Sequence, residues 1–168
     1  LNKEKSIVYT KNRYFWRKKG TQNMSDRRQT VEILKKIYEN AETGMNTTKK
    51  VISGIKSGEM REFLELQKNK YYDIAAEAAA FLAGCRELPP QTGFFSNLAA
   101  GAAIMMNIAG GIRDEKTAEF LINGCTEGII DLMRALAEHA EAEAAVKNLA
   151  QRLIAAEQDC IKNAERFL

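Results

Sequence analysis

The chain has 168 residues, 45% of them hydrophobic and 28% charged, with a formal net charge of +3. That size allows one domain, and the composition is that of an ordinary globular protein. The charge is uneven: residues 1–23 hold seven basic groups against Glu4 alone, a net +6, and the rest carries −3. This excludes a nucleic-acid-binding body, which would need a basic face.

The segment 1–23 lacks helical periodicity and is expected to be a disordered basic tail. Its Lys18-Lys19-Gly20 must be encoded AAR-AAR-GGN, which resembles a bacterial ribosome-binding site. Thr21-Gln22-Asn23 then separate it from Met24, the first methionine. The expectation is translated leader sequence with Met24 as the natural start. The alternative is a basic arm interleaved with Tyr9, Tyr14, Phe15 and Trp16 that binds nucleic acid or anionic lipid. Residues 24–168 are expected to form a single helical domain.

Val31, Leu34, Tyr38, Ala41, Met45, Thr48, Ile52 and Ile55 recur at steps of three and four, which predicts a helix from about Asp26 to Ile55. Ser57-Gly58 interrupts the pattern. A second helix, about Glu59 to Ala83, carries Met60, Leu64, Gln67, Tyr71, Ile74, Ala78, Phe81 and Cys85. The short link makes it antiparallel to the first. Gly84 and Pro89-Pro90 end it.

Gly93 to Ile112 contains no charged residue. Its length would suit a membrane span. Its Ser96, Asn97 and Asn107, its many alanines and glycines and its lack of basic flanks favour a helix buried in protein. The next helix, about Asp114 to His139, carries Ala118, Ile122, Cys125, Ile129, Leu132, Leu136 and His139. A second set, Leu121, Gly124, Gly128 and Ala135, widens its apolar face. The groove at Gly124 and Gly128 is expected to receive the uncharged segment. The last helix, about Glu141 to Phe167, carries Ala142, Val146, Leu149, Leu153, Ala156, Cys160 and Phe167. The heptad loses phase at 139–142, which predicts a turn there. If the uncharged segment runs lengthwise, the next helix is parallel to the second, and Cys85 and Cys160 lie at opposite ends.

The order of two long helices, an apolar crossing segment and two more long helices resembles the ferritin-like superfamily. The stretches VEILKKIYENAETGMN, Met106-Asn107 and DEKTAEFLINGCTEGIID are similar to small uncharacterised bacterial bundle proteins of that superfamily. The resemblance spans about Met24 to Leu168. It implies an all-α, ferritin-like four-helix bundle with an additional apolar crossover helix.

Active ferritin-like proteins hold two metal ions with a Glu from each of two helices and Glu-x-x-His from each of the others. This chain has no Glu-x-x-His, and His139 is preceded at the third position by Leu136. No expected seam position is a carboxylate. Glu42, Glu77 and Glu157 fall beside the seams and Glu127 projects outward. If metal is bound at all, Glu42, Glu77, Glu157 and His139 are the candidate ligands. Otherwise His139 suits a helix C-terminus, and Cys125 and Cys160 suit small buried core positions without a histidine partner.

Three unpaired cysteines without CxxC, and a start without an apolar run, point to a reducing compartment, so the cytoplasm is expected. The functional expectation is a non-enzymatic structural or interaction protein with no cofactor, associating with itself or an unknown protein partner. The alternatives are a metal-binding or redox protein using the off-seam carboxylates, and a membrane-associated protein using residues 93–112.

Overall fold

The computed structural model describes residues 24–91 and 112–168. The basic tail and nearly all of the uncharged segment lie outside these residues, and so do the expectations placed on them. Four α-helices make up the described chain: α1 (Met24–Ile52), α2 (Gly58–Gly84), α3 (Asp114–Glu138) and α4 (Ala144–Ala164). A 3₁₀ turn, Glu165–Phe167, follows α4.

The helix ends follow from local chemistry. Ser57 caps α2, its hydroxyl accepting from the Met60 N–H at 3.3 Å. The Arg61 guanidinium donates to the carbonyl of Ile52 at 3.2 Å and to that of Ile55, closing the C-terminal end of α1. At the end of α2, Glu87 N–H donates to Leu82 O and Arg86 N–H to Ala83 O. That is a Schellman turn, and its left-handed position falls on Arg86 (φ 61°), not on the expected Gly84. The turn between α3 and α4 spans residues 139–143, where the heptad loses phase.

Contacts along the bundle define the helix directions. The Ile112 N–H donates to Gly54 O at 3.2 Å, placing the start of α3 beside the α1–α2 turn. The Glu143 N–H donates to Thr30 Oγ1 at 3.0 Å, placing the α3–α4 turn beside the start of α1. Hence α3 runs parallel to α2 and antiparallel to α1, and α4 runs parallel to α1. The chain leaves one end after Cys85, whose carbonyl accepts from Arg27 at 2.6 Å, and returns at the other at Ile112. Cys85 and Cys160 therefore belong to opposite halves of the bundle.

Two hydrophobic clusters fill the interior. One lies toward the α3–α4 turn and includes Ile33, Leu34, Ile37, Ala78, Leu82, Leu132, Val146, Leu149 and Leu153. The other lies toward the α1–α2 turn and includes Val51, Ile55, Met60, Leu64, Ile112, Ala118, Leu121 and Ala164. Each fully buried Leu or Ile contributes about 2 kcal/mol from surface removed from water.

The buried stripes depart from the expected seams in three places. On α1, Ile33, Ile37, Asn40, Thr47 and Val51 are buried, whereas the expected Tyr38 and Met45 are half-buried. A helix surrounded by three others buries more than one stripe. On α3 the buried line is Ala118, Leu121, Cys125, Gly128, Leu132 and Ala135, and Ile122, Ile129 and Leu136 move to its edge. On α4 the line steps from Leu153 to Glu157 to Cys160 to Ala164, so Ala156 lies at the edge and Glu157 lies inside. The expectation that Glu157 flanks the core, and that no seam position is a carboxylate, is thereby corrected.

Candidate functional site

Between the two hydrophobic clusters lies a layer of polar side chains supplied by all four helices: Asn40 and Thr47 from α1, Gln67 and Tyr71 from α2, Cys125 from α3, and Glu157 and Cys160 from α4. All seven are buried. Two glycines make room for the largest of them. A Cβ on Gly44 would lie 2.9 Å from the Tyr71 ring, so the bare α1 backbone there is the bed on which the ring lies. A Cβ on Gly128 would lie 2.5 Å from Glu157 Oε1 and 2.8 Å from Asn40 Nδ2. Gly128 thus lets the Asn40 amide and the Glu157 carboxyl meet over the α3 backbone. These two side chains fill the space nearest the bare backbone at Gly128.

The antiparallel pairing of α3 and α4 sets who meets whom. Cys125 lies 17 residues before Ala142, and Cys160 lies 17 residues after Glu143. Gly128 and Glu157 are likewise equally far from that turn, as are Leu132 and Leu153. Equal rise per residue brings each pair to one level.

The polar layer is partly satisfied by hydrogen bonds. Asn40 Nδ2 donates to Gly128 O at 3.1 Å and Gln67 Nε2 to Ala156 O at 3.3 Å. The Tyr71 hydroxyl and the Cys125 sulfur are 3.5 Å apart. Cys125 and Cys160 are neighbours in the same buried cluster. Glu157 Oε2 is buried without a hydrogen-bond partner among the described residues.

These surroundings shift the ionisable groups. Burial, reinforced by Cys125, pushes the Glu157 carboxyl up to about 9, so it is neutral at pH 7. The neighbouring Cys160 thiol holds Cys125 below the ordinary thiol value against its burial, and the Tyr71 hydroxyl adds to the effect. Cys160 moves upward, first through its neighbour Cys125 and then through burial. Burial, with Cys125 nearby, also raises Tyr71 well above the usual phenol value.

A cavity of about 30 Å³ opens beside the layer between α1 and α3. Tyr71, Cys125, Gly128 and Glu157 form its inner wall, and half-buried Thr43, Phe120 and Gly124 with exposed Glu127 its outer rim. One water needs ~10–15 Å³ of such space, so about two water-sized groups fit.

The candidate metal ligands are not brought together. Glu42 accepts from the Tyr38 hydroxyl at 3.0 Å at the edge of α1. Glu77 pairs with Arg152 at 2.8 Å on the surface between α2 and α4. His139 caps the end of α3, whereas Glu157 sits ~20 Å further along α4 by its rise per residue. Among the described residues no group of three or more His, Cys, Asp or Glu is placed to hold a metal ion. The di-metal centre of active ferritin-like proteins does not fit these four residues, which lie on separate faces and at separate levels of the bundle.

Among the described residues no helix is long and apolar enough to cross a membrane. Fold and site together define an all-α four-helix bundle with an acid-and-thiol layer at its centre and one long connection between its second and third helices. It is similar in structure to a conserved hypothetical protein from Mycobacterium tuberculosis, with a TM-score of 0.58 and 13% sequence identity over 88% of this chain and 100% of that one. At that identity the likeness speaks for the fold alone. No family model and no curated protein matches the chain.

Proposed function

We propose that this chain is a ferritin-like bundle acting through its surface, as a cytoplasmic structural or interaction protein that associates with copies of itself and carries out no enzymatic turnover. The observation that carries this reading is the small interior. Two hydrophobic clusters fill it, and the cavity that opens between α1 and α3 among the described residues has room for about two waters. The ferritin-like reading is supported by the helix directions, which require one long connection in the middle of the chain. The metal-binding alternative on Glu42, Glu77 and Glu157 draws no support from the donor set described above. Self-association is supported by Ile130 and Met133, both exposed and one turn apart on α3, which offer apolar surface to a second copy.

The test is protein purified without added metal, with elemental content and solution mass measured on the same sample. The reading expects far less than one iron, manganese or zinc per chain and a mass that is a multiple of 18.8 kDa. Two metal ions per chain, or a monomer at every concentration, would contradict it.

A further inference from the structure

We propose that Cys125 and Cys160 form a peroxide-reactive dithiol at the centre of the bundle, reached by hydrogen peroxide through the cavity between α1 and α3. Four observations converge on it. The two cysteines sit on adjacent helices, at one level of the bundle and in the same buried cluster. Cys125 lines the cavity, whereas Cys160 lies behind it, fully buried. Tyr71 and Glu157, both able to donate a proton, line the same cavity. The space accepts about two water-sized groups, which matches the two oxygens of hydrogen peroxide and excludes a branched organic hydroperoxide.

The roles follow from position. Cys125 is the attacking sulfur, because it is the thiol facing the cavity and its neighbours favour its thiolate. It ionises, releasing its proton to water in the cavity. Its Sγ attacks one peroxide oxygen and the O–O bond breaks. The departing oxygen takes the carboxyl proton of Glu157 and leaves as water, and the Glu157 carboxylate recovers the proton that Cys125 released. Cys125 is then a sulfenic acid. The Cys160 sulfur attacks it: an S–S bond forms, the S–O bond breaks, and the hydroxyl leaves with the Cys160 proton as a second water. Two thiols and one peroxide thus give one disulfide and two waters, with two electrons passing from sulfur to oxygen. The new bond ties α3 to α4 across the polar layer. Cys85, in the other half of the bundle with burial pushing its thiol up to about 11, serves as an internal control.

The experiment uses the reduced full chain and one equivalent of hydrogen peroxide, followed by alkylation of the remaining thiols and peptide mass mapping. The expected product joins Cys125 to Cys160 and leaves Cys85 alkylated. The Cys160→Ser chain should stop at a sulfenic acid on Cys125 that dimedone captures. Tert-butyl hydroperoxide at the same concentration should react at least about tenfold more slowly. Oxidation of Cys85 as fast as Cys125, oxidation of Cys125 without a bond to Cys160, or equal rates with the two peroxides would each overturn the proposal. The wild-type mapping stands without any variant, so a misfolded substitution cannot obscure it.

Discussion

Replacing Glu157 with glutamine should change how stability depends on pH, because glutamine keeps the shape of a neutral glutamate and cannot ionise. In the folded chain the carboxyl is pushed up to about 9, against 4.5 for an ordinary glutamate. Between those values the folded state holds a proton that the unfolded chain has released. The stability contribution is therefore complete below about pH 4.5 and is lost progressively as pH rises toward 9. The slope is about 1.4 kcal/mol per pH unit, so the wild-type chain loses roughly 3 kcal/mol from this group between pH 6 and 8. The groups facing Glu157 are Asn40 on α1, Tyr71 on α2, Cys125 on α3 and Cys160 on α4. Cys125, with its lowered value, contributes the opposite sign in both chains, so the difference between the chains reports Glu157 together with its coupling to these neighbours. Urea unfolding at pH 6, 7 and 8 measures it. The Glu157→Gln chain should gain on wild type steadily across the series, and parallel profiles would refute a neutral buried Glu157.

Three further outcomes are expected. Gly128→Ala brings a methyl group against Glu157 Oε1 and the Asn40 amide. It should cost about 1–3 kcal/mol, less about 1 kcal/mol regained from helix propensity, and the cost should shrink in a Glu157→Ala background, as read by urea unfolding of the four chains. Shortening the chain to Met24–Leu168 should leave the melting temperature unchanged, because both described clusters are built from Val31 onward. Mild oxidation should never join Cys85 to Cys160, which non-reducing peptide mapping would check.

Much of the architecture was legible because it rests on periodicity and punctuation. Ser57-Gly58, the phase loss at 139–142 and the two adjacent prolines mark where helices stop. The lengths between them require one long connection, and the contacts at Gly54 and Thr30 bear out the helix directions. The polar layer was not legible in the same way. From Leu153 a helical face can continue through either Ala156 or Glu157 to Cys160. Apolar identity favours the alanine, whereas the chain buries the glutamate because Gly128 opposite leaves it room. The pairing of Cys125 with Cys160 did leave a signal, since both are equally distant from the turn at Ala142 and Glu143. Reading each helix as a separate seam concealed it. Gly44 gave no warning either, because a glycine inside a helix reports a close approach without naming the ring that makes it.

Whether Glu157 is neutral at pH 7 bears on every reading of the interior, since a carboxyl that held a metal ion would be ionised there. The most direct measurement is a carbon-13 NMR titration of the Glu157 side-chain carboxyl in the full-length protein as purified, assigned with the Glu157→Gln chain. A midpoint near 9 is the expected result. A midpoint in the ordinary glutamate range, or a resonance already in its ionised position at pH 5, would contradict a closed, metal-free polar layer.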